Sequence, residues 1–88
     1  MSERRLLIDI EVLELLRTLR SAEQRDLLQR FRAIGAAPDR FADYLESGAA
    51  GREVQVHIFG RFAIKYWDDF ADRHVKILDL HPADRRSG

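Results

Sequence analysis

Three histidines, His57, His74 and His81, are the side chains with the widest chemical range in this 88-residue chain. Histidine can act as a general acid or base near neutral pH, and its neutral ring can bind a transition metal. His57 is the better acid–base candidate, because alternation places it on the strand face opposite Val54 and Val56. A half-exposed strand histidine without a chemical role is the alternative. The three histidines lack a tight ligand spacing such as His-x-x-x-His, so no transition-metal site is predicted.

Acidic residues form a second group, in a turn that contains Asp68, Asp69 and Asp72. Their spacing lacks the alternating oxygen ligands and closing glutamate of a calcium loop, and acidic residues are common in turns because they hydrogen-bond their own backbone. Gly48 and Gly51 precede a strand instead of opening a helix, which argues against a phosphate-binding loop. The sequence therefore predicts no metal and no cofactor.

A third group combines aromatic and basic side chains in one short stretch: Phe59, Arg61, Phe62, Lys65, Tyr66 and Trp67. On a sheet surface such a set could stack bases and hold phosphates. Alternatively, Phe62 and Tyr66 belong to the core and Trp67 covers an edge. Arg61 would join His57, Arg85 and Arg86 in a basic patch if the end of the last strand returns beside the second strand of the meander.

Composition sets the broad class. The chain is 45% hydrophobic and 34% charged, which is typical of a globular protein, and its length suits a single domain over residues 1–88, with residues 82–88 as a frayed tail. Fifteen basic residues balance fifteen acidic ones, so no overall field attracts nucleic acid or an anionic membrane. The absence of cysteine suits a reducing cytoplasm. Acidic residues interrupt the first apolar run, so no signal peptide or membrane span is expected.

The N-terminal half predicts one strand and two helices. Arg4 to Ile10 is apolar enough for a short strand, and residues 12–19 carry the apolar stripe of an amphipathic helix. Ser21 begins a capping-box pattern with Gln24 at the start of the second helix. The apolar stripe of that helix contains Gln24, Leu27, Leu28, Phe31 and Ile34 or Gly35, and Gly35 is placed to end it. The short junction between the helices favours a helical hairpin.

The C-terminal half predicts a three-stranded meander over residues 53–80, preceded by a short helical turn. Pro38 suits the first position of that turn, in which Phe41, Tyr44 and Leu45 would dock on the core. Val54 and Val56, with Ile58, would face the core from the first strand of the meander. His81 and Pro82 follow Leu80, and the proline would stop the last strand.

This order of elements, with Gly60, Phe62 and Tyr66 in the central strand and a late Arg85, resembles the RelE/ParE superfamily of toxins from bacterial type II toxin–antitoxin systems. The resemblance covers nearly the whole chain. It implies an α+β fold, in which a short first strand precedes a helical hairpin packed on an antiparallel sheet (β-α-α-β-β-β). The arginine of the central-strand pattern is replaced by Ala63 here.

The resemblance also implies function. RelE-like members cut messenger RNA on the ribosome, and such an enzyme would use His57 as acid or base with Arg61 and Arg85 stabilising the phosphate and the transition state. The alternative is a non-catalytic protein on the same scaffold that inhibits a target such as gyrase or binds an antitoxin. The expected partners are a cognate antitoxin, the ribosome with its messenger RNA, and a second copy of the chain; no membrane partner is expected.

Overall fold

The computed structural model describes residues 5–47 and 52–83, which form three helices and five strands. In chain order they are β1 (Arg5–Ile8), α1 (Ile10–Leu16), α2 (Ser21–Ala36), α3 (Pro38–Phe41), β2 (Tyr44–Ser47), β3 (Glu53–Phe59), β4 (Phe62–Asp69) and β5 (His74–Pro82). The strands make one sheet in the order β1-β5-β4-β3-β2. β1 runs parallel to β5, and the other neighbours are antiparallel. The predicted α+β fold and meander are confirmed.

The sheet contains a strand, β2, that was predicted as part of a helical turn. The helix is limited to Pro38–Phe41, with proline in its first turn as predicted. Phe41 packs against the core, but Tyr44 and Leu45 are exposed strand residues, so their predicted docking is wrong. β2 pairs with β3, and this pairing begins with a hydrogen bond from the Asp43 N–H to the Val56 carbonyl at 2.8 Å. The pairing satisfies backbone groups that a short helix would leave without partners.

The alternation of β3 was predicted correctly, and Val54 and Val56 are buried as expected, but they do not lie on the face that the helices cover. Cross-strand pairing puts His57 opposite Ile64 and Phe59 opposite Phe62, and these two β4 residues belong to the core beneath the helices. We call this side the helix face. Val54, together with Val56 and Ile58, therefore lies on the other side, the open face. The error arises because β4 is apolar at consecutive positions, so hydrophobicity does not identify the face that the helices cover.

The core lies between the helices and the helix face of the sheet. Its buried members come from α1, α2, β4 and β5: Val12, Leu16, Leu27, Phe31, Ile34, Phe62, Ile64, Tyr66, Val75, Ile77 and Leu80. The predicted stripe of α2 is confirmed by its buried residues, and α1 contributes one short apolar side. No helix among residues 5–47 and 52–83 has the length and apolarity to cross a bilayer.

The helix ends differ from the predicted ones. α1 ends at Leu16, before the last residue of the predicted stripe, and the Asp9 carboxylate caps its start by accepting from the Glu11 N–H at 3.1 Å. α2 begins at Ser21, but Arg20 is its N-cap and provides no side-chain cap. The Gln24 amide instead donates to the Leu19 carbonyl at 2.8 Å, so the predicted capping box is not formed.

The final strand continues to Pro82, slightly beyond the predicted end. Pro82 pairs with Phe62 of β4, whereas the pairing with β1 covers only residues 74–77 of β5. β1 does not pair with β5 at Pro82, so the missing N–H of this proline breaks no hydrogen bond on that side of the strand. The Ala83 N–H donates to the Arg61 carbonyl at 2.9 Å, which places Ala83 beside the β3–β4 turn.

Gly35 was predicted to end α2. The helix instead continues to Ala36, and Gly35 is buried within it, against β1. A Cβ added there would lie 3.4 Å from Leu6 Cδ1, which is an ordinary contact. We expect Gly35→Ala to raise the free energy of unfolding by about 0.5–1 kcal/mol, because alanine favours the helix. Gly35→Leu should lower it by about 1–3 kcal/mol through overpacking against Leu6. Urea denaturation of both variants tests this, and equal destabilisation by alanine and leucine would contradict it.

Candidate functional site

His57 lies on β3 between two aromatic rings on the helix face. Phe41 contacts its ring edge-on, with centroids 5.4 Å apart, and Phe59 stacks beside it at 6.3 Å. The guanidinium of Arg30 lies over both phenyl rings, 5.0 Å from Phe41 and 4.5 Å from Phe59. Only 12% of the His57 side chain is exposed. The side chain with the best predicted acid–base chemistry is therefore largely enclosed by aromatic rings.

Asp43 orients this histidine. Its Oδ2 atom lies 3.0 Å from His57 Nδ1 and also accepts from the Ile58 N–H at 2.7 Å. The Ile58 N–H, followed by His57, lowers the pKa of Asp43 below its usual value. Because an ionised carboxylate can only accept, His57 donates from Nδ1 and, in a neutral ring, leaves Nε2 as the basic nitrogen. Nε2 is buried, and the described residues offer it no hydrogen-bond partner.

An Asp–His pair of this kind has the arrangement of an oriented general base. The carboxylate fixes the ring and its tautomer, and the opposite nitrogen would take the proton. A substrate must reach that nitrogen, however, and here the surrounding side chains close it off. The Asp43–His57 pair is oriented for acid–base chemistry, but the Nε2 atom of His57 is buried like that of a histidine packed in a core.

Arg61 lies in the β3–β4 turn and is bound to α2. Its Nε and Nη2 atoms donate to the two carboxylate oxygens of Glu23 at 2.9 and 3.0 Å. This bidentate bond lowers the pKa of Glu23 and raises that of Arg61. In the described part of the chain no hydrogen bond or ion pair joins Arg61 to His57. The third predicted site residue, Arg85, lies outside the described residues, as does Arg86.

The open face around Ala63 carries little free positive charge. Ala63 is buried between its cross-strand partners Ile58 and His81. His81 Nδ1 lies 2.9 Å from Oδ2 of Asp79 on the same strand. The next outward residue on β4, Lys65, forms an ion pair with Glu46 of β2 at 3.0 Å. The position that carries arginine in the RelE/ParE pattern is therefore surrounded by the apolar Ile58, by a histidine that contacts a carboxylate, and by a lysine paired with a carboxylate.

The aromatic and basic stretch divides between the two faces of the sheet. Phe62 and Tyr66 are buried in the core, which confirms the packing interpretation for them. Trp67 lies on the open face, where the guanidinium of Arg52 stacks over its ring at 4.0 Å and His74 contacts it edge-on at 6.3 Å. The set therefore does not form one continuous surface for stacking bases.

Sequence reasoning missed the carboxylate partners of these side chains. Asp43 is 14 residues from His57, Glu23 is 38 residues from Arg61, and Glu46 belongs to a strand that was not predicted. No spacing motif connects residues so far apart in sequence. The Glu46 partner of Lys65 could have been found if β2 had been predicted. The strand register pairs Glu46 with Val54 and so places it near Lys65 on the same face of the sheet.

Asp43 provides a direct test of the pair. We expect Asp43→Ala to lower the free energy of unfolding at pH 7 by about 1 kcal/mol, because the half-exposed carboxylate accepts two hydrogen bonds. The lowered pKa means that this contribution is present above pH ~4 and is lost as pH falls further. Denaturation at pH 7 and pH 3 measures the effect. A difference from the parent that is equal at both pH values would contradict it.

These features define a small α+β domain in which the helices cover one face of a five-stranded sheet. No protein-family model and no curated protein matches the sequence. Among solved structures, the chain is similar to one in the crystal structure of the archaeal RelE–RelB complex from Pyrococcus horikoshii OT3. The TM-score is 0.79 at 24% identity, and the match covers 97% of this chain and 100% of that one. The protein therefore has the RelE fold, and the resemblance noted in the sequence is confirmed at the level of fold.

Proposed function

We propose that this protein is the toxin-like component of a toxin–antitoxin pair and that it acts by binding proteins instead of cutting RNA. The observation that carries the proposal is the similarity over nearly the whole chain to a structure solved as a RelE–RelB complex. Its expected partner is a cognate antitoxin, the counterpart of RelB in that complex.

The charge arrangement supports binding over cleavage. RNA cleavage requires cations that can contact the phosphate and stabilise the charge that develops in the transition state. Arg61 is bound to Glu23, and Lys65 is bound to Glu46. At the family's arginine position, Ala63 offers no charge. An incoming phosphate would have to displace carboxylates that already hold these cations.

Co-expression with the product of the neighbouring reading frame tests the proposal. We expect the two proteins to co-purify as a complex of fixed stoichiometry. Expression of this chain by itself should arrest growth, and co-expression should restore it. The control is the neighbouring protein expressed without this chain, which should not be captured on the same resin. A protein that stays monomeric, binds no product of the neighbouring frame and leaves growth unchanged would contradict the proposal.

The second candidate is a ribosome-dependent messenger RNA endonuclease in which His57, Arg61 and Arg85 are catalytic. The observation that favours it is the Asp43–His57 pair, whose geometry would make Nε2 a base once substrate binding opened the aromatic enclosure. This enzyme would lose about 10²–10⁴-fold of its cleavage rate in His57→Ala. Arg85→Ala should also lose activity, and Lys76→Ala provides a control that removes a cation outside the proposed set.

A further inference from the structure

We propose that Asp69, Asp72 and His74 form a binding site for a divalent transition metal of the zinc type at the β4–β5 turn. One ligand atom from each lies within 4.8 Å of the other two. The sequence presented these residues as two separate patterns, an acidic turn and dispersed histidines. The hairpin brings the two patterns together, because Asp69 and His74 are cross-strand partners at its end.

The distance between Asp69 and His74 suits a shared metal better than a direct bond. Asp69 Oδ2 and His74 Nε2 are 3.6 Å apart, which is longer than a normal hydrogen bond. Two ligands of a tetrahedral zinc ion, each about 2.0–2.1 Å from the metal, lie roughly 3.3 Å from one another. By contrast, the His81–Asp79 pair on the same strand closes to 2.9 Å.

The surrounding structure holds the ligands in place. Asp69 uses its other oxygen, Oδ1, to accept from the Asp72 N–H at 3.2 Å, so Oδ2 remains directed toward His74. Trp67 packs edge-on against the His74 ring. The side chains of Asp69 and His74 are only 13% and 18% exposed, whereas Asp72 is exposed in the turn. Two ligands are therefore fixed by packing, and the third can close over the ion from solvent.

The ligand set indicates the type of metal. One imidazole and two carboxylates suit zinc and its neighbours in the first transition series, whereas calcium and magnesium prefer oxygen ligands in larger number. Three protein ligands leave a fourth tetrahedral position for water. The exposed Arg5 is the register partner of His74 on β1, and solvent screens its repulsion of the ion. A bound ion would cross-link the two strands of the hairpin.

Calorimetric titration of the full, EDTA-treated chain with zinc chloride tests the proposal. We expect saturable binding of one ion per chain, with calcium at the same concentration giving no comparable signal. Zinc at about a hundred times its Kd should raise Tm by about 10–20 °C. His74→Gln and Asp69→Asn should each weaken binding at least tenfold. Asp72→Asn changes an exposed turn residue, so it tests the site if the other two variants fail to fold.

His81→Gln is the matched control, because it removes a histidine that is also paired with an aspartate but has no third ligand among residues 5–47 and 52–83. Its zinc affinity should equal that of the parent. The proposal is overturned if the parent shows no saturable binding up to about 1 mM zinc. It is also overturned if His74→Gln binds like the parent, if His81→Gln loses affinity equally, or if calcium binds as well as zinc.

Discussion

Replacing Phe31 with alanine is expected to lower the free energy of unfolding by about 3–5 kcal/mol. Phe31 is fully buried in the middle of α2, where it packs into the cluster between the helices and the sheet. Truncation removes a large apolar side chain and leaves a cavity that its neighbours fill only in part. Because domains of this size have a total stability of about 5–15 kcal/mol, the variant should be close to unfolding at 37 °C.

Phe70 offers the matched control, since 75% of it is exposed in the β4–β5 turn. Phe70→Ala should change the free energy of unfolding by no more than about 0.5 kcal/mol. Urea denaturation followed by circular dichroism measures both variants. If the two phenylalanines proved equally costly to remove, the helices would not cover the sheet in the way described.

The second large effect is expected at Tyr66, a fully buried residue of the central strand. Its hydroxyl donates to the carbonyl of Pro38, which is also buried, and so joins α3 to the sheet. Tyr66→Phe should lower the free energy of unfolding by about 1–3 kcal/mol, because the buried Pro38 carbonyl then loses this donor. Phe62→Leu provides a comparison in which the core loses aromatic contacts but no hydrogen bond.

The same tyrosine predicts a pH dependence. Burial, aided by the nearby carboxylates of Asp39 and Asp43, raises the pKa of Tyr66 well above its usual value of 10.0. The unfolded chain therefore loses this proton at a lower pH than the folded chain does. Stability from this group is complete below pH ~10 and falls above it, by at most about 1.4 kcal/mol per pH unit. Tyr66→Phe should abolish that part of the alkaline slope, and an unchanged slope would contradict the assignment.

Local sequence patterns predicted the elements better than their arrangement. The meander over residues 53–80 follows from alternation and turns, and the stripe of α2 follows from helical periodicity. The face of β3 that the helices cover did not follow, because its partner β4 is apolar at consecutive positions and hydrophobicity therefore does not identify the covered face. Pairing with β4 decides it, and His57 consequently lies under the helices instead of on the open face.

The candidate site depended still more on contacts between distant residues. His57 and Arg61 could be selected by their chemistry, but their partners Asp43 and Glu23 come from other elements. Those partners determine whether each side chain is available to a substrate. The same limit applies to Asp69 and His74, whose proximity results from the hairpin register and not from a spacing motif.

The central claim is that this RelE-fold protein acts by binding other proteins and does not cut RNA. The most direct test is whether messenger RNA on translating ribosomes stays intact in its presence. Purified parent protein is added in stoichiometric amount to a translating extract, and the transcript is mapped by primer extension. We expect the transcript to remain intact, with the parent indistinguishable from His57→Ala. Cleavage within codons that occurs with the parent and disappears in His57→Ala would show that the protein is a nuclease and contradict this account.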